Sequence, residues 1–132
     1  RLMDYLGVTD CGTVVHPLGL AAQMRGGAVQ GFGMAMTERF VYDPQNGYPL
    51  NLGFNEGKVQ SYLDVPEIMN WAAVGKPDPQ SPFGARGVGE PAQGCAASAV
   101  CSAIADALGL SHDQQVLLSQ TVGYPASGVG PR

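Results

Sequence analysis

Residues 17–40 read PLGLAAQMRGGAVQGFGMAMTERF. The run is mostly apolar and long enough to be a helix. It opens on Pro17, which suits a first helical turn because its missing N–H would have no intrahelical partner there. The difficulty is glycine. Gly26, Gly27, Gly31 and Gly33 each cost a helix interior about 1 kcal/mol relative to alanine, and several kcal/mol is a large share of a typical domain's stability. Something must use the space they leave: another helix or strand packed very close, or a ligand reached by the backbone itself. Gly27-x-x-x-Gly31 is also a packing pattern of membrane helices. Against that, Gln23, Arg25 and Gln30 lie mid-run, and one arginine costs about 2.5–3.5 kcal/mol at a bilayer centre on insertion scales. The run reads as a helix in water, with no membrane span.

The segments on either side supply strands and turns. LGVTDCG (6–12) reads as a short strand that Gly12 ends. FVYDPQNGYPL (40–50) carries a hairpin signal, with strand-like Phe40–Tyr42, the turn pair Asn46-Gly47, and Tyr48 resuming the strand. KVQSYLDV (58–65) reads as a further strand closed by Pro66, and GKPDPQSP (75–82) as a proline-rich loop that cannot join a ladder. After Pro91 a second helix rich in alanine, serine and cysteine puts Ala97, Val100, Cys101, Ile104 and Leu108 on one face, with Gly109 as its stop. The expected fold is α+β: a small mixed sheet packed with two glycine- and alanine-rich helices. Residues 1–110 form the folded portion, and 111–132 a partly extended tail.

Composition narrows the function classes. Eleven acids against seven bases leave no basic stripe, so nucleic-acid binding lacks its electrostatic footprint. Three cysteines with no C-x-x-C fit free or buried thiols in a reducing compartment. That places the chain in the cytoplasm, with the periplasm as the alternative. His16 and His112 are too far apart in sequence to suggest a zinc site, and no metal ligand is assigned. Neither a dinucleotide-binding G-x-G-x-x-G nor a phosphate-binding G-x-x-x-x-G-K-[ST] is present. The opening RLMDYLG, without an initiator methionine or a signal pattern, reads as the continuation of something longer.

GARGVGEPAQG (84–94) sets one carboxylate, Glu90, between bare backbone and a rigid proline. Two readings compete. Glu90 is a helix cap, although glutamate is a poor one beside Ser, Thr, Asp or Asn. Alternatively the glycine loop wraps a bulky group and presents Glu90 to it as a general base, held in its charged form by the helix N-terminus.

Three segments in order, DCGTVVHP (10–17), QMRGGAVQGFGMAMTE (23–38) and GARGVGEPAQ (84–93), resemble the C-terminal part of the molybdenum-binding subunit of the molybdenum hydroxylases, the xanthine dehydrogenase and aldehyde oxidase family. The resemblance covers roughly residues 5–108. It implies a fragment of a molybdopterin-binding domain, from an enzyme that hydroxylates a carbon centre with oxygen from water. It implies that Glu90 is the base that takes the proton from the hydroxyl on molybdenum. Gln30 and Gly31 of the V-Q-G motif, and Arg86, Gly87, Val88 and Gly89 beside the base, would contact the cofactor. That cofactor is molybdopterin, either plain or as the cytosine dinucleotide. Iron–sulfur clusters and FAD are expected on other domains or subunits, since the clustered cysteines of a cluster domain are absent here. The implied partners are the rest of the molybdenum subunit, iron–sulfur and flavin subunits, and a small-molecule substrate. The chain departs from the family at His16, where Asn is commoner, at Arg25, and at Gly57, Gln60 and Ser61. The chain alone is expected to be inactive. The competing reading is a non-catalytic structural or assembly domain that keeps the fold.

Overall fold

A computed structural model describes residues 1–111. The elements in chain order are strand β1 (Asp4–Thr9), helix α1 (Pro17–Met36), a one-turn helix α2 (Phe54–Gly57), a 3-10 turn (Tyr62–Asp64), strand β2 (Ile68–Ala73) and helix α3 (Pro91–Ala107). The assignment of 111–132 as a tail, and His112 with it, lies outside the described residues beyond Ser111.

α1 begins where Pro17 predicts. His16 caps it, its Nδ1 accepting the Gly19 N–H at 2.7 Å. The substitution of His for the family's Asn therefore keeps a side-chain acceptor at the helix entrance. α3 likewise starts at Pro91. It stops at Gly109, which has φ +65° and donates its N–H to the Asp106 carbonyl.

The expected α+β class holds. Its sheet consists of two parallel strands paired from Asp4↔Ile68 to Thr9↔Ala73. Antiparallel pairing is confined, among the described residues, to the isolated bridges Gly12↔Ala85 and Tyr42↔Pro49. The first helix and the sheet meet through alternate strand residues. Gly7 lies against the Met24 side chain. Tyr5 packs edge-on against Phe32, with ring centroids 5.3 Å apart. One hydrophobic cluster gathers Ala28, Phe32, Ala35, Ala96 and Val100, and another gathers Cys11, Leu20, Met24 and Ala92.

Three local readings need correction. KVQSYLDV is not a strand. Lys58 takes a left-handed conformation that ends α2, and Ser61 and Asp64 close a capping box around the 3-10 turn. Both features compete with extended pairing, and the partner of β1 begins only after Pro66. The 40–50 hairpin shrinks to one bridge. Its turn forms, with Gly47 at φ +73° and its N–H on the Asp43 carbonyl, but Pro49 has no N–H to extend the ladder. Leu108 leaves the buried face: it is the C-cap of α3 and 67% exposed.

The glycine question resolves mostly in favour of packing. A Cβ on Gly31 would run into the Gln93 carbonyl oxygen and come within 3.0 Å of Ala96 Cβ. One on Gly27 would sit 3.2 Å from Ala92 Cβ. Both glycines let α3 cross α1 at nearly backbone contact. Gly33 makes room for the Glu38 carboxylate and the Gln60 side chain, whereas Gly26 faces open space. Gly31→Ala should destabilise, since overpacking against backbone costs about 1–3 kcal/mol and outweighs the helix-propensity gain. Gly26→Ala should instead stabilise by up to about 1 kcal/mol. Urea unfolding of the two variants checks the opposite signs.

Candidate active site

The loop before α3 is pinned on one side and bare on the other. Gly84 (φ +67°) and Gly12 (φ +65°) adopt left-handed turns that bring the two segments together. A side chain on Gly12 would collide with the Gly84 carbonyl. That carbonyl accepts the N–H groups of Thr13 and Asp78, each at 2.8 Å, and Arg86 N–H donates to the Cys11 carbonyl at 2.8 Å. The Arg86 side chain finishes the attachment. Its Nη1 lies 2.5 Å from Asp10 Oδ2 and its Nε 2.9 Å from Asp78 Oδ2.

Beyond Arg86 the character changes. Val88 turns inward and packs on the cluster of Cys11, Leu20, Met24 and Ala92. Gly87 and Gly89, on either side of it, have nothing within 4 Å of where a Cβ would stand. Among the described residues the N–H groups of Gly87, Val88, Gly89 and Glu90 make no hydrogen bond. Glu90 holds the N-cap position of α3 by its backbone, but its carboxylate makes no cap hydrogen bond. It is exposed and has no ion-pair partner among the described residues. The cap reading of Glu90 therefore applies to its main chain only.

Gln30 projects from α1 into a groove of about 540 Å³, where Gln93 and Met34 join it. Gln93 donates from Nε2 to Met34 Sδ at 3.0 Å. Arg86 and Val88 instead line a smaller hollow of about 190 Å³ with His16 and Gln23. The predicted residues thus fall on two sides of the α1–α3 crossing: Gln30 in one groove, and Arg86 and Val88 at the other. Gly31 is buried beneath α3, and the space its missing side chain leaves is taken by Gln93 and Ala96. The unpaired backbone donors of this region lie in the 87–90 loop. Gln93 closes the segment GARGVGEPAQ, whose pattern alone assigns it no role. Asp10 and Asp78 had none either; they are tied to Arg86 across 76 and 8 residues of sequence, and no local pattern signals such a link.

The electrostatics centre on this clamp. Asp78 is held below the usual carboxylate range, chiefly by the Gln80 N–H and then by Arg86. The Arg86 guanidinium is pushed above its ordinary value, first by its hydrogen bond to Asp78 and then by Asp10. Among the described residues no group of three or more His, Cys, Asp or Glu could hold a metal ion. No helix among them is long and apolar enough to cross a membrane.

A family described as "Molybdopterin cofactor-binding domain" matches residues 1–66. The chain belongs to this family, and with it to the molybdenum hydroxylases. Gamma subunit of the 6-hydroxypseudooxynicotine dehydrogenase complex from Paenarthrobacter nicotinovorans is 34% identical over 108 residues, covering 82% of this chain and 14% of the relative. Probable hypoxanthine oxidase of Escherichia coli is 32% identical over 83% of this chain and 11% of its own length. Among solved structures, quinoline 2-oxidoreductase from Pseudomonas putida 86 superposes with a TM-score of 0.76 at 35% identity, over 83% of this chain and 14% of that one. CO dehydrogenase from Oligotropha carboxidovorans gives 0.73 at 28%, over 80% and 13%. The chain therefore covers only 11–14% of the length of these proteins.

A lowered folded-state pKa means that the Asp78 contribution is complete above the unfolded carboxylate value, about 4, and is lost as pH falls through the lower folded value. Asp78→Asn should lower stability slightly at neutral pH and leave it nearly unchanged at the acid end, so that the acid limb becomes shallower. Urea midpoints measured from about pH 6 down to about pH 2 check this.

Proposed function

We propose that this chain forms one wall of a molybdenum hydroxylase active site, with Glu90 as the general base. The observation that carries the reading is a carboxylate at a helix entrance that neither caps the helix nor pairs with any described residue. A helix N-terminus favours its charged form. A base must be ionised and within hydrogen-bond reach of the proton it takes. Here Glu90 would accept the proton lost by the water-derived oxygen as that oxygen adds to the substrate carbon.

The bare stretch Gly87–Glu90 fits an anionic cofactor. Four successive unpaired N–H groups form a donor array of the kind that receives phosphate and other anionic oxygens, and the helix dipole behind them adds to it. Gln30, with an amide that can both donate and accept, would engage the cofactor from α1, and Gln93 shares its groove. The metal would be carried by its pterin. The bound molybdopterin, plain or as its cytosine dinucleotide, would supply the two-electron redox chemistry. Iron–sulfur and flavin groups on other parts of the enzyme would carry the electrons away.

The remaining surface supports a role as part of a larger subunit. Phe54, Tyr62, Leu63, Leu52 and Phe40 are each more than 80% exposed, and apolar patches of that kind mark interfaces. The matched relatives are named for several different substrates, so substrate choice is assigned to polypeptide outside this chain. A cytoplasmic location fits the free thiols. The alternative, a structural domain that keeps the fold without catalysis, gives Glu90 no task.

In the complete enzyme Glu90→Gln should lower turnover by at least about 100-fold, the lower range of general-base contributions, with molybdenum content unchanged. Full activity in that variant would end the base assignment. Metal analysis should also find no tightly held molybdenum on the chain alone.

A further inference from the structure

We propose that Arg86, gripped between Asp10 and Asp78, is a positioning residue that aims Glu90. This rests on the reading of Glu90 as the base.

The resemblance made Arg86 a cofactor contact, but the charge around it argues otherwise. Its Nε and Nη1 are already donated to two carboxylates, at 2.9 and 2.5 Å. Two carboxylates on one guanidinium leave the cluster net negative, which repels an anionic group. The planar fork of arginine suits simultaneous attachment to two acids, as lysine's point charge does not.

The anchor points are themselves fixed. Asp10 follows directly on β1, whose last residue, Thr9, accepts the Val74 N–H at 2.9 Å. Asp78 sits in a turn whose N–H reaches the Gly84 carbonyl and whose carbonyl takes the Ser81 N–H. From Arg86 only Gly87, Val88 and Gly89 intervene before Glu90, and no hydrogen bond of theirs fixes the path. Val88, seated on Cys11, Leu20, Met24 and Ala92, is the fixed point between the clamp and the carboxylate, and the direction set at Arg86 reaches Glu90 through it. The Arg86 and Asp10 side chains are about half exposed and that of Asp78 is 20% exposed, so as pairs at the surface their stability contribution is small. What they supply is direction, to which catalysis is far more sensitive.

The test uses the complete enzyme. Arg86→Ala should lower kcat by about 100-fold, the size of effect that ~1 Å of misplacement produces. Molybdenum content and KM should stay unchanged. Amide exchange at Thr13, Asp78 and Arg86, whose N–H groups bond where the loop is pinned, should quicken by about fivefold, the protection a surface ion pair supplies. Arg86→Lys should recover part of both effects. Combined with Glu90→Gln, Arg86→Ala should add no further loss, since it acts through that carboxylate. Unchanged exchange in Arg86→Ala would overturn the proposal, as would molybdenum lost in proportion to activity, which would restore Arg86 as a cofactor contact. Should Arg86→Ala fail to accumulate, Asp78→Asn removes one arm and is judged by the same readouts and the same outcomes. Full activity in Glu90→Gln sinks the base reading; normal loop exchange in Arg86→Ala beside an inactive Glu90→Gln sinks the clamp alone.

Discussion

The near-contact of α1 and α3 at Gly27 and Gly31 determines most of what lies around it. The Gln93 carbonyl occupies the space a Gly31 side chain would need, and the Ala92 and Ala96 methyl groups fill in beside it. Such an approach requires small residues on both helices, and both are built of them. Its consequence is positional. The first turn of α3 is held against the middle of α1, so the entrance of α3, where Glu90 stands, is fixed relative to Gln30 one turn away on the other helix. The helix-propensity penalty of the glycines is the cost of that fixed spacing, and the buried cluster around Phe32 offsets it.

Legibility in the sequence tracked the range of the interaction concerned. Pro17, Pro91 and Gly109 announce element ends through their own backbone preferences, and each marks an end in the structure, whereas β1 stops at Thr9, before Gly12, which instead bridges to Ala85. The strand Ile68–Ala73 was not legible, because parallel pairing joins it to β1 across some sixty residues and its six residues carry no turn signal of their own. In KVQSYLDV a strand-like composition lost to a Ser61–Asp64 capping box. The need for small residues on α1 could be read; whether a helix or a ligand filled the space could not, since both make the same demand on sequence. Glu90 stood out because its neighbours lack side chains. Asp10 and Asp78 did not, because the geometry that unites them with Arg86 exists only once β1 and the proline-rich loop are folded together.

The two-stranded sheet leaves one of its faces without cover. An all-parallel sheet is ordinarily covered on both faces, and two strands alone are marginal in water. Here α1 covers the face carrying Tyr5 and Met69, while Leu6, Val8 and Ile68 are left on the outer face at 62, 60 and 48% exposure. The matched proteins are several times longer than this chain.

Covering the apolar surface has a consequence for the loop. While Gly87–Glu90 faces water, its unpaired N–H groups are satisfied by solvent. Once the surrounding surface is buried, each would cost about 1–3 kcal/mol if left without an acceptor. Side chains from the covering polypeptide could meet that need, but the glycines leave room for something broader and flatter than a side chain, and an anionic, oxygen-rich group satisfies several donors at once. The bare loop and the helix entrance behind it thus present several unpaired donors and one unpaired carboxylate, at Glu90, to whatever covers them.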